Sequence, residues 1–169
     1  MKEYVVGFLF DSARRQVVLI EKKRPAWQTG KWNGVGGKVE APELPPEAMR
    51  REFDEETGVD MYGSWECFAT LETKGGVIYF FRGFSDKAFD VASRTDEEVS
   101  IWAVDQVTDP FFARDFLANT PWLVSMALSI DADAASYFII QEKYPDGVLR
   151  SNQAGAKDVS DCDAPADSR

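Results

Sequence analysis

Apolar and polar positions alternate in blocks along the chain, and each block predicts an element. Glu3 to Phe10 and Gln16 to Lys22 are rich in Val, Phe, Ile and Tyr and flank the polar stretch Asp11 to Arg15. That pattern predicts two strands joined as a hairpin. From Arg24 to Asn33 it breaks into Pro, Gln, Thr, Gly and two Trp residues, a loop carrying exposed aromatics. Gly34-Val35-Gly36-Gly37 then gives a backbone with almost no side chains, which another group can approach closely. Pro45 and Pro46 open a helix through Thr57, with Gly58 in the stop position. Strands follow at Tyr62 to Glu72, Val77 to Ser85 and Val99 to Val104. Asn119-Thr120-Pro121 opens a second helix through about Ser129, and Tyr137 to Gln141 reads as a last strand. Residues 1–148 form one domain on this reading. The segment 149–169 shifts to Ser, Asn, Gly, Ala and Asp without an aromatic residue and reads as an acidic, disordered tail.

Composition narrows the chemistry. Lys+Arg is 19 against 29 Asp+Glu, a net charge of -10, so stable binding to nucleic acid through its phosphates is not expected. The longest apolar runs fall far short of the ~20 residues that span a bilayer, so no membrane partner is expected. The only two cysteines, Cys67 and Cys162, lie far apart and suit a reducing compartment; a cytoplasmic location is the expectation. Histidine is absent, which removes imidazole bases, His-ligated zinc and every His-containing triad. The chemistry must run on carboxylates, Lys, Tyr, Ser/Thr, Cys or a hard metal.

The first helix is where acid concentrates. At 100° per residue Glu52, Glu55 and Glu56 fall within an arc of roughly 100°, opposite Glu47, Arg50 and Asp54. Their face carries Ala48 and is flanked by Met49 and Phe53, so three like charges adjoin a core. Repulsion and desolvation both penalise that arrangement unless a cation neutralises it, and oxygen ligands select Mg²⁺, Mn²⁺ or Ca²⁺. A solvated helix paired with Arg50 and Arg51 is the competing reading at this point.

Spacing decides between them. Gly37, five residues, Glu43, seven residues, then Arg51-Glu52-Phe53-Asp54-Glu55-Glu56-Thr57-Gly58-Val59 match every fixed position of the Nudix box, GX5EX7REUXEEXGU with U a bulky apolar residue. The chain resembles a Nudix hydrolase. That resemblance implies an α/β fold, an α/β/α sandwich around a mixed β-sheet. It implies hydrolysis of a nucleoside diphosphate linked to another moiety, with Mg²⁺ or Mn²⁺ held by Glu52, Glu55 and Glu56 and the Gly36 carbonyl. Glu43 is then expected to pair with Arg51 and hold the loop against the helix. A further metal ligand or base is implied at Glu97 or Glu98, ahead of Trp102.

The segment Trp32 to Val39 resembles the oxidised-nucleotide-sanitising branch, the 8-oxo-dGTP diphosphatases, which convert a nucleoside triphosphate to the monophosphate and pyrophosphate. On that resemblance Asn33 reads the base edge, Trp27 and Trp32 line the base pocket, and Lys23 and Lys38 approach phosphate. Asn119 is similarly placed to a purine-reading Asn of bacterial mutator-preventing members. The chain departs from the eukaryotic enzyme in lacking a Trp-Pro-Asp-Asp stretch. Thr73, where ADP-ribose pyrophosphatases carry Pro, and Lys74-Gly75-Gly76, near the Tyr of dinucleoside polyphosphate hydrolases, disfavour those two alternatives. A nucleotide-sensing module is disfavoured by the full box. The nucleotide is the expected partner, and the oligomeric state stays open, a homodimer included.

Overall fold

A computed structural model describes residues 1–129 and 137–141. The proposed boundary at 148, the tail 149–169 and Cys162 lie outside the described residues.

The strands are β1 (Lys2–Phe10), β2 (Gln16–Lys22), β3 (Lys31–Asn33), β4 (Glu66–Thr73), β5 (Gly76–Phe84), β6 (Val99–Ala103) and β7 (Phe138–Gln141). The helices are α1 (Pro45–Thr57), the short α2 (Val104–Thr108) and α3 (Thr120–Ser129). They build one mixed sheet in the order β3-β2-β1-β5-β4-β7, with β6 on β2. β1 runs parallel to β5 from Lys2↔Gly76 to Phe10↔Phe84, and β7 runs parallel to β4.

Alternation along the central strands assigns side chains to two cores. Val5 and Leu9 of β1 with Val18 and Ile20 of β2 pack on Ala48, Met49 and Phe53 of α1. Phe8, Phe10, Val17 and Leu19 point to the opposite face and pack on Val107, Leu123, Val124 and Ala127 of α2 and α3. The period of two in the strands thus fills both layers of an α/β/α sandwich. α1 begins on Pro45 at its first position, and the Glu47 carboxylate reaches back to the Leu44 N–H at 2.8 Å. It stops at Gly58, whose φ of 73° is the left-handed conformation glycine adopts at little cost.

The expected hairpin forms only at its base. β1 and β2 pair at Phe10↔Val17 and then separate. Ile20 pairs with both Asn33 and Val99, so β3 lies on the side of β2 that β1 has left. The glycine segment fills the remaining gap beside β1, through Val5 N to Gly37 O at 2.9 Å, Gly7 N to Val35 O at 2.7 Å and Val39 N to Glu3 O at 3.0 Å. A Cβ on Gly36 would stand 2.0 Å from the Val5 carbonyl oxygen, and one on Gly34 2.8 Å from that of Gly7. Backbone contact with β1 is the reason for these glycines.

Three assignments shift. Lys31–Asn33, expected within a loop, is strand β3, because pairing with β2 satisfies its backbone. Tyr62 to Trp65, expected as strand, turns instead, with Gly63 at φ 68°. Val104–Thr108 and Pro110–Asp115, which carry no clear sequence signal, coil as a short α-helix and a 3-10 turn beneath α3. Among the described residues no helix is long and apolar enough to cross a membrane.

Candidate active site

The centre of the site is a guanidinium. Arg51 donates to Glu43 at 2.7 and 3.0 Å, to Glu52 at 2.9 Å, to Glu55 at 3.2 Å and to the Lys38 carbonyl at 3.1 Å. All five of its N–H donors are used. The hydrogen bonds from Arg51 hold the Glu43 carboxyl below the usual carboxylate range. One residue therefore fastens the loop 38–43 to the acidic face of α1.

Glu52 lies against the glycine segment, where a Cβ on Gly37 would come within 2.4 Å of both carboxylate oxygens. Burial raises its pKa despite Arg51. Glu56, one turn on, is pushed up to about 7, first by burial and then by the charges of Glu52 and Glu97; Lys22 and a hydrogen bond from the Gly36 backbone pull the other way. Its Oε2 is buried without a hydrogen-bond partner among the described residues.

Glu97 completes the group from the far side. It is 5% exposed, accepts from Lys22 Nζ at 2.5 Å, and accepts from the Lys23 backbone N–H at 2.7 Å. Glu98 is exposed, and its backbone carbonyl pairs with the Glu21 N–H. Of these two neighbours, which directly precede β6, Glu97 is the one turned inward.

A divalent cation can be tested against these donors. An orphaned carboxylate oxygen on Glu56, two carboxyls destabilised as anions by burial, and an oxygen-only donor set all fit a hard cation. Among the described residues no three acidic side chains stand grouped at metal-holding distance. Glu55, whose side chain is 59% exposed, turns to Arg51 instead of joining Glu52 and Glu56.

Next to this group opens a cavity of about 700 Å³. Gly36, Gly37 and Lys22 form its carboxylate end; Asn33, Asn119 and Gln28 supply amides, and Trp27, Tyr4, Leu71, Ile78 and Phe80 supply apolar wall. Among the described residues Lys22 and Arg24 are its cations, and no Asp or Glu lines it. A groove of about 780 Å³ on the outer side of α1, between Arg50, Tyr62 and Trp65, contains none of Glu52, Glu56 and Glu97.

Several expected positions fall elsewhere. Trp32 packs in the α3 core, edge-on to Trp102 at 5.4 Å between ring centroids, while its neighbour Asn33 lines the cavity. Lys23 and Lys38 are exposed and do not line the cavity. Lys22, one position before Lys23, is the lysine the sequence reading missed; strand alternation from Ile20 could have placed it.

Comparison with known proteins bears on this geometry. The family model for the NUDIX domain matches residues 1–120. The chain belongs to the Nudix family. Its domain is a Nudix hydrolase domain, and the mixed α/β sandwich is that family's fold. An oxidized purine nucleoside triphosphate hydrolase of Danio rerio is 48% identical over 66 residues, which are 39% of this chain and 38% of that protein. The match thus spans well under half of the curated relative. Among solved structures, MutT from Aliivibrio salmonicida and Vibrio cholerae superposes with a TM-score of 0.62 at 23% identity, over 76% of this chain and 98% of that one. MutT from Bacillus halodurans gives 0.58 at 20%, over 89% and 95%. These structural likenesses concern the fold.

Proposed function

We propose that this Nudix hydrolase domain cleaves a nucleoside triphosphate to the monophosphate and pyrophosphate, with an oxidised purine nucleotide as the substrate class. One observation carries the reading: a carboxylate group fastened by Arg51 abuts, across Gly36 and Gly37, a cavity to which the described residues bring cations and amides but no acid. A polyphosphate lying along the glycine segment would place its base among Asn33, Asn119 and Trp27. The partial likeness to an oxidized purine nucleoside triphosphate hydrolase supports the purine.

In this reading Glu52 and Glu56, with the Gly36 carbonyl, would hold Mg²⁺ or Mn²⁺, and Glu55 would complete the set on leaving Arg51. The cation would supply neutralisation of phosphate charge and acidification of the attacking water. Arg51 and Glu43 orient the helix face. Lys22 offers positive charge at the phosphate end, and Glu97 serves as a further ligand or as proton acceptor, since the chain has no histidine for that role.

The test is a panel of nucleoside triphosphates, ADP-ribose and dinucleoside polyphosphates with Mg²⁺ or Mn²⁺, products separated by chromatography. Monophosphate and pyrophosphate from a purine triphosphate are expected. Orthophosphate as the first product, or turnover confined to ADP-ribose or dinucleoside polyphosphates, overturns the reading.

A further inference from the structure

Asn33 and Thr120 meet where β3 and the start of α3 converge, 87 positions apart in sequence. The Thr120 hydroxyl lies 3.1 Å from Asn33 Oδ1 and 3.4 Å from the Trp32 carbonyl. The amide oxygen is the nearer of the two and is therefore the better acceptor for the hydroxyl proton. Thr120 is fully buried and its own N–H bonds the Leu117 carbonyl, so the hydroxyl is held in place.

We infer that Thr120 is a positioning residue that fixes the amide of Asn33, so that the cavity presents N–H donors there and selects a base with a carbonyl on the facing edge over one with an amino group. An unanchored amide is symmetric in shape and could turn either its oxygen or its nitrogen to a ligand, reading donor and acceptor edges alike. With Oδ1 occupied by Thr120, the Nδ2 side remains for the ligand. A base carbonyl accepts from it. An exocyclic amino group meets donor with donor, and one side of the pair stays unsatisfied. Among the described residues no carboxylate lines the cavity to accept from an amino group in its place. Among the purines, the favoured class is therefore the 6-oxopurines. This inference rests on the proposal that the cavity receives the base.

Hypoxanthine and adenine differ at the 6-oxo or 6-amino position and its neighbouring ring proton, so their nucleotides are the probe. Using the full chain, calorimetry measures binding of the inosine and adenosine monophosphates, and kinetics with Mg²⁺ measures the two triphosphates. The wild-type protein should favour inosine, and Thr120→Val should narrow that preference by about five- to tenfold, the scale of one discriminating hydrogen bond. The change should appear in Kd and KM with kcat nearly constant. Thr120→Ser, which keeps the hydroxyl, should restore the preference. A purely structural role would weaken both nucleotides together and leave their ratio unchanged; that outcome, or a wild-type preference for adenosine, overturns the inference. Selective inosine binding lost in Thr120→Val and regained in Thr120→Ser, without triphosphate hydrolysis, overturns the proposed activity and leaves the inference standing. Absence of monophosphate binding together with absence of triphosphate hydrolysis overturns both.

Discussion

The two ends of the site are built on opposite principles. At the carboxylate end, Glu43, Arg51, Glu52, Glu55 and Glu56 come from 14 consecutive residues, tied by one guanidinium that uses every donor it has. At the cavity end, Asn33, Leu71, Phe80 and Asn119 come from three strands and the turn before α3, and beside the cations Lys22 and Arg24 stand the neutral amides of Asn33, Asn119 and Gln28. Charge that must be neutralised is gathered by local helix geometry, where spacing is rigid. Selection of a base edge is left to amides held by tertiary contacts, where a one-residue change in register re-aims the group. The first end therefore tolerates little chemical change, and the second is where relatives with the same box can diverge.

The largest effect should come from the carboxylates. Glu56→Gln and Glu52→Gln should lower kcat/KM by roughly 10²–10⁴ with the circular dichroism spectrum retained, and chelation of divalent metal should abolish turnover reversibly. Near-wild-type activity in both folded variants would move the reaction away from α1.

Next comes the strand that joins the ends. Gly36→Ala forces a methyl into the Val5 carbonyl, a backbone atom that cannot step aside, and should cost about 3 kcal/mol or more in denaturant unfolding. A change below about 1 kcal/mol would show that the segment pairs loosely with β1.

The pH dependence sharpens the contrast in electrostatics. Burial raises Glu56 to about 7 in the folded chain, against an unfolded value near 4.5. Between those values the folded state binds the proton and the unfolded state does not, so metal-free stability is full below about 4.5 and falls as pH rises to about 7. The loss is up to about 3 kcal/mol, and Glu56→Gln should flatten the profile and raise the melting temperature at pH 8. A parallel profile in that variant would assign the titration elsewhere.

Smaller effects belong to the cavity and the periphery. Asn33→Ala and Asn119→Ala should narrow the ratio of kcat/KM between preferred and poor bases by about tenfold, whereas Trp27→Ala should weaken all bases alike. Unchanged base ratios in both Asn variants would place base reading on other side chains. Lys23→Ala and Lys38→Ala, both exposed and outside the cavity, should change kcat/KM by less than about twofold.

Periodicity and spacing alone specify much of this molecule. The apolar alternation of β1 and β2, the Pro start and Gly stop of α1, and the box from Gly37 to Val59 are local signals, because helix and strand geometry relates residues a few positions apart by fixed angles. The acidic face follows from that geometry, and the Arg51–Glu43 pair is what the resemblance to the box implies. Tertiary structure decided what lies between distant segments. The separation of β1 from β2, with the glycine segment in the gap, turned a simple hairpin into the cradle of the site. The tertiary structure turned Glu97 rather than Glu98 inward, set Lys22 rather than Lys23 at the carboxylates, and gave Asn33 to the cavity while Trp32 went to the core. Each of those choices is between two sequence neighbours, and composition does not distinguish them. Only the pairing of strands far apart in sequence fixes which neighbour of a pair points to chemistry.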